Sequence, residues 1–284
     1  MPVALVTDST ASLPAEVVAA RDITVVPLQV VIGATAYDEG VDGGATPEML
    51  AEALRAWTPV STSRPNPDEM LEVYQRLAKD GATEIVSIHL SGELSGTFES
   101  AQLAARQASV PVLAVDSRQV GMATGFAVLS AADARDEGGD ASAVAAAARR
   151  RVSTATSLFY VDTLEYLRRG GRMGAASALI GSALAVKPIL RIEDGRVVPF
   201  ERVRTAGKAL HRLEELAVDA AGSAAVDVAV AHLASPERAA SLAERLGERL
   251  AAGLEGRPVP VGEIGAVLGA HVGPGMVGVC VARR

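Results

Sequence analysis

A single cysteine, Cys280, stands among the 284 residues, so no disulfide can form within the chain. Histidine is scarce too. His89, His211, His232 and His271 show no paired metal-ligand spacing, and with one Cys beside them no metal site is expected. Aromatic residues make up only 3% of the chain, too few for a platform on which bases stack. Lys and Arg form no long dense block, and a net charge of -7 repels a phosphate backbone, so nucleic acid is not an expected partner. Long hydrophobic runs are missing as well. Apolar stretches such as residues 175–190 are interrupted by Gly, Ser and Lys before they reach the roughly 20 residues a membrane span needs. No basic segment followed by an apolar run opens the chain at Met1, and a cytoplasmic protein without a transmembrane segment is expected. The G-x-S-x-G elbow, a G-x-G-x-x-G fingerprint after the first strand and a Gly-Lys-Ser/Thr phosphate loop are also absent. No cofactor is expected.

What is present is a chain with 49% hydrophobic and 21% charged residues, enough to fill a core of Ala, Val and Leu and to solvate its surface. Residues 3–6 read as a buried strand, residues 23–32 as a second, and 85–88 and 110–115 as two more. Helices are expected between them: from Thr46 and Pro47 to Trp57, over 68–79, through SGTFESAQLAARQA, and from Gly125 onward. This alternation predicts an α/β fold whose N-terminal part is a mostly parallel sheet with helices on both faces. Another helix follows the EGGDAS loop at 137–142, and a strand at 156–161 marks a compositional break. The division is placed at about residue 150, giving an N-terminal domain 1–150 and a C-terminal domain 151–284. In the second part, Asp194-Gly195 between two β-rich runs predicts a tight hairpin, so antiparallel pairing enters and the C-terminal domain is mixed α/β. Helices over 205–220 and 236–250 and strands over 226–231 and 276–282 complete it.

Four segments concentrate groups able to hold a ligand. Ser61-Thr62-Ser63-Arg64-Pro65 is read as a loop with three adjacent hydroxyls, which suit an anion and equally suit local turns and a helix cap. Residues 91–97, SGELSGT, leave the carboxyl end of a strand and enter a helix, where open α/β sheets bind ligands. Ser95 and Thr97 supply hydroxyls and Gly96 permits close backbone approach, although a cap with a turn glycine needs no ligand. In residues 167–174, LRRGGRMG, Arg168 and Arg169 suit a solvated basic turn and Arg172 suits pairing with a carboxylate or phosphate. Residues 265–275, GAVLGAHVGPG, read as a Gly-rich loop that brings His271 to a ligand or holds it as a structural histidine. Asp8, beside Ser9 and Thr10, is a candidate for binding a metal or phosphate or for capping the next helix.

The motifs TDSTASLP (7–14), TSRP (62–65), SGELSGTFESA (91–101), VDSRQVGMATG (115–125), LEYLRRGGRMG (164–174), KPIL (187–190) with EDG (193–195), and GAVLGAHVGPG (265–275) occur in one order along nearly the whole chain. Together they resemble the DegV family. The resemblance implies two α/β domains with one long-chain fatty acid bound between them and its tail buried in the second. It implies that hydroxyls of the TSRP and SGELSG segments, here Thr62, Ser63 and Ser95 beside Gly96, hold the acyl carboxylate, with Arg172 and His271 near the same end. It also implies a partner, the catalytic subunit of a bacterial fatty acid kinase, to which a non-catalytic carrier presents its lipid. Arg64 departs from the Gln that many relatives have there. The competing reading is an enzyme that uses Ser95, His271 and Arg172 on a small phosphorylated or carboxylated metabolite.

Overall fold

The computed structural model describes residues 3–174 and 187–284, so the apolar stretch 175–190 lies outside the described residues up to residue 186. In chain order the first part contains β1 (Val3–Asp8), α1 (Ala15–Ala20), β2 (Ile23–Val26), β3 (Gln29–Ile32), β4 (Thr35–Asp38), α2 (Pro47–Arg55), β5 (Val60–Ser63) and α3 (Pro67–Lys79). It continues with β6 (Glu84–His89), α4 (Thr97–Ala105), β7 (Val112–Asp116), α5 (Met122–Asp136) and α6 (Ala141–Ser153). The second part contains β8 (Ala155–Tyr160), α7 (Glu165–Arg169), β9 (Lys187–Glu193), β10 (Arg196–Val203), α8 (Ala206–Ala221) and β11 (Val226–His232). After these come α9 (Pro236–Arg249), α10 (Ala251–Leu254), β12 (Val261–Glu263), α11 (Ala266–Val272) and β13 (Val277–Arg283).

The N-terminal sheet is parallel throughout, in the order β2-β1-β6-β7. Every residue of β1 is buried because helices cover both faces. Val3, Leu5, Val86 and Ile88 pack against α5 and α6, while Ala4, Val6 and Ile85 pack with Met70 and Tyr74 of α3 and Ala104 of α4. Alternate residues of one strand therefore feed two separate cores. Helix starts follow local chemistry. Thr46 Oγ1 accepts from Met49 N at 3.2 Å with Pro47 at the first helical position, and Asn66 and Glu69 form a reciprocal capping box on α3.

Two segments of this part differ from the sequence reading. The single strand expected over 23–32 is two strands in different sheets, because Pro27 has no N–H to continue the β1 ladder. The hydroxyl loop expected at 61–65 is largely strand: β5 pairs antiparallel with β3, Thr62 opposite Val30 and Ser63 opposite Gln29, in a small sheet ordered β4-β3-β5.

The C-terminal sheet runs β10-β9-β8-β13-β11-β12, antiparallel except for β11 with β12. The hairpin between β9 and β10 turns at Asp194 and Gly195, both at positive φ, as a two-residue turn between twisted strands requires. One face of the sheet is covered by α8 and α9, against which Val226, Val228, Val230, Val277, Val279 and Val281 are buried with Leu213, Leu242 and Leu246. The opposite face of β11 and β13 carries Ala229, Ala231, Gly278 and Cys280. Large side chains thus fill one side, and small ones leave room on the other. The Gly-rich loop expected at 265–275 is instead helix α11. Gly265 precedes it and Gly273, at φ 75°, ends it, so glycine lies mainly at the boundaries. The internal Gly269 packs where a Cβ would come within 2.5 Å of Leu50.

Candidate functional site

The small-residue face of the C-terminal sheet and the carboxyl ends of the N-terminal strands enclose a cavity of about 480 Å³. Most of its wall is apolar, including Leu28, Leu90, Phe159, Leu167, Ile192 and Met276. Thr62, Ser63, Ser95, Gly96, Arg172 and His271, the six residues to which the family resemblance points, all line it. They come from β5, the β6–α4 connection, the segment after α7, and α11, which no local pattern would bring together. Ser63 and Arg64 are exposed at the rim, and Thr62, Ser95, Arg172 and His271 are half-buried further in.

Thr62 Oγ1 and His271 Nε2 lie 3.0 Å apart in a hydrogen bond whose direction follows the imidazole tautomer. The other ring nitrogen, Nδ1, is sealed from solvent without a partner among the described residues, against Gly170, where a Cβ would come within 2.1 Å. Burial, aided by the Arg172 charge, depresses the His271 pKa to about 4, so the ring is neutral at neutral pH. Arg172 is held in place by its own donors, Nε to Leu94 O at 3.1 Å and Nη1 to Gly170 O at 2.6 Å. The guanidinium thereby ties the β6–α4 connection to the turn after α7. Ser95 Oγ is 2.9 Å from Thr97 Oγ1 and accepts from Thr97 N at 3.3 Å, placing it at the first turn of α4. Because β5 is a strand, Thr62 and Ser63 point to opposite faces, and only Thr62 reaches His271.

Gly96 does not offer an open backbone. Arg64 lies across it, with Nη1 donating to Gly96 O at 3.0 Å and to Glu99 Oε2 at 2.9 Å, and a Cβ at 96 would collide with the guanidinium. Arg168 and Arg169 pair with Glu165 on α7, which holds that carboxylate at about 2. Asp8 is consumed in a buried network. Its Oδ1 accepts from Thr10 N at 3.1 Å and its Oδ2 from Leu90 N at 3.0 Å, and Oδ2 lies 2.9 Å from His89 Nδ1. His89 Nε2 in turn meets Ser87 Oγ at 2.7 Å. All three side chains are fully buried and outside the cavity wall, so this chain of bonds secures the exit of β6.

Glu39 was not legible as a site residue. Its Oε1 accepts from Val267 N at 2.7 Å, capping the start of α11 from 228 residues away, and burial raises its pKa. Nothing around Tyr37-Asp38-Glu39-Gly40 announces that role. The apolar wall was equally hidden, although the alternation VDVAVAH and VGVCVAR does encode one bulky and one slender sheet face.

The fold and cavity define a class: an α/β protein with a parallel N-terminal sheet and a mixed C-terminal sheet, between which lies a largely apolar cavity with hydroxyl, imidazole and guanidinium groups in its wall. The chain belongs to the DegV family, whose model, described as "Uncharacterised protein, DegV family", matches residues 2–284. A DegV domain-containing protein of Streptomyces coelicolor is 54% identical over 282 residues, covering 99% of each chain. Among solved structures, the fatty-acid-binding DegV family protein from Thermus thermophilus superposes with a TM-score of 0.92 at 34% identity. DegV from Bacillus subtilis, a fatty acid binding protein, superposes at 0.90 with 34% identity, and each match covers 100% of both chains. No helix among the described residues is long and apolar enough to cross a membrane.

Proposed function

We propose that this chain binds one long-chain fatty acid, with the tail in the apolar cavity and the carboxylate at Thr62 and Ser95. Ser63 stands at the rim, Gly96 beside Ser95, and Arg172 and His271 at the same end. The observation that carries this reading is the composition of the cavity wall: Thr62, Ser95, a neutral His271 and a fixed Arg172 lie in a wall that is otherwise mostly apolar. The fatty acid binding of the Thermus thermophilus and Bacillus subtilis relatives supports it. Burying a methylene gains about 0.8 kcal/mol, so a tail of roughly 14 methylenes gains on the order of 11 kcal/mol gross. Hydrogen bonds to a charged group contribute roughly 1.5 to 3 kcal/mol each, so the hydroxyls orient the acid more than they hold it.

On this reading the N-terminal domain, 1–150, shapes the polar end, and the C-terminal domain, 151–284, houses the tail. The end of α6 at Ser153 and the start of β8 at Ala155 support that division. The protein acts as a carrier, non-catalytic by itself, that presents the carboxylate to the catalytic subunit of a fatty acid kinase for phosphorylation by ATP. Carrier function is favoured over catalysis because no carboxylate among the described residues orients Nδ1 of His271, and a pKa of about 4 makes it a weak base. Denaturing mass spectrometry of protein purified from cells, followed by incubation of the loaded protein with a fatty acid kinase and ATP, tests both parts. Stoichiometric acyl chains and acyl phosphate are expected; protein that carries no lipid and takes none up ends the proposal.

A further inference from the structure

Strand register arranges the slender face of the C-terminal sheet in steps. Ala231 pairs with Gly278 and Gly278 with Phe159; two residues along, Ala229 pairs with Cys280 and Cys280 with Ser157. All six residues line the cavity. At the next step the pairs are Asp227 with Ala282 and Ala282 with Ala155, and none of these three lines it. The space beyond is filled. Ala282 packs in one cluster with Ala123 and Phe126 of α5, and Arg151 of α6 lies over Phe126 and pairs with Asp227. The polar end lies in the other direction. The helix bearing His271 follows β12, whose Glu263 pairs with His232, and its Gly269 packs on Leu233. Ala229 is three residues from His232 along β11, roughly 10 Å at about 3.3 Å per residue.

We propose that the row Ser157, Cys280 and Ala229, closed over by Met122 at the start of α5, is the end wall that sets the length of acyl chain this protein accepts. This rests on the fatty-acid reading of the cavity. The row is suited to a terminal methyl. Ser157 Oγ already spends its hydrogen on Gln119 Oε1 at 2.9 Å. Burial raises the Cys280 pKa to about 12, so its sulfur remains an uncharged thiol, a small and nearly apolar surface.

The test offers an equimolar mixture of saturated acids, from about 10 to about 20 carbons, to delipidated protein and reads the retained acids by denaturing mass spectrometry. Ala229→Leu adds three carbons to the wall, so the retained maximum moves down by about two to four carbons. Palmitate affinity falls about tenfold or more, the loss of roughly two buried methylenes, while laurate is held within about threefold of wild type. Cys280→Ala recesses the wall with little risk to folding, and retention of the longest acids rises. If wild type retains acids and the Cys280→Ala profile does not move, or a folded Ala229→Leu keeps the wild-type maximum, the wall lies elsewhere and the inference is wrong. Wild type that retains no acid overturns the fatty-acid reading itself, and this inference with it.

Discussion

His271 is held as a neutral imidazole between the Thr62 hydroxyl and the Arg172 guanidinium. Its pKa of about 4 in the folded protein lies below the ordinary value of 6.5, so between those two values the unfolded chain binds a proton that the folded chain does not. Stability contributed by the buried neutral ring is therefore complete above pH 6.5 and is lost as pH falls towards 4, by up to about 3 kcal/mol. Urea denaturation of acid-free protein at a series of pH values should show this slope, and His271→Asn should flatten it. A slope unchanged in the variant would place the titration on another group. Glu39, at the other end of α11, works in the opposite sense. Its raised pKa means that its contribution is present below about 4.5 and fades as pH rises through the folded value, so it does not mimic the His271 slope.

Among the elements, the β9–β10 hairpin does more than close its own sheet. Its tip reaches the β6–α4 connection: Ser91 Oγ donates to Gly195 O at 2.8 Å, and Arg196 grips Glu93 through two donors. Arg118, just past β7, donates to Asp194 O at 3.0 Å. The hairpin also lines the cavity with Ile192 and Val197, while the connection it clasps carries Leu94 and Ser95. Gly195 is required twice over, by its φ of 80° and because a Cβ would come within 2.4 Å of Ser91 Oγ. Gly195→Ala should destabilise the protein by about 2 kcal/mol and loosen the polar end as well as the turn, read as a lower urea midpoint and faster release of a bound fluorescent fatty acid. A turn that matters only to its own strands would lower the midpoint and leave release unchanged. The exposed pair Arg196 and Glu93 contributes little by itself, because water and salt screen it.

In the molecule as a whole, the cavity belongs to both parts of the chain, with Thr62 and Ser95 from the first and Ile192, Ala229 and Cys280 from the second. A ligand there joins the two parts and stabilises whatever unfolds together. On the proposed function, free fatty acid at about 100 times its dissociation constant stabilises the folded state by about 2.7 kcal/mol. For a chain of this size that corresponds to a rise of roughly 5 °C in melting temperature. Calorimetry of delipidated and reloaded protein checks it; an unchanged transition would mean that the acid does not bind the folded state.

Local chemistry determined much of this protein from the sequence alone. Thr46 with Pro47 and the Asp194-Gly195 turn act within a few residues, and their structures follow from those residues. The alternation of β-rich and helical segments determined the α/β class, and seven ordered motifs determined the family. The tertiary structure decided what depends on distant partners. Ser-Thr-Ser at 61–63 has the chemistry of a turn, yet Gln29 to Ile32 draws it into a strand and separates Thr62 from Ser63 by face. Glycines at 265–275 look like a loop, yet a carboxylate 228 residues away caps them into a helix. The cavity is the extreme case, because an empty space arises where covered faces stop, and no single segment records where its neighbours end.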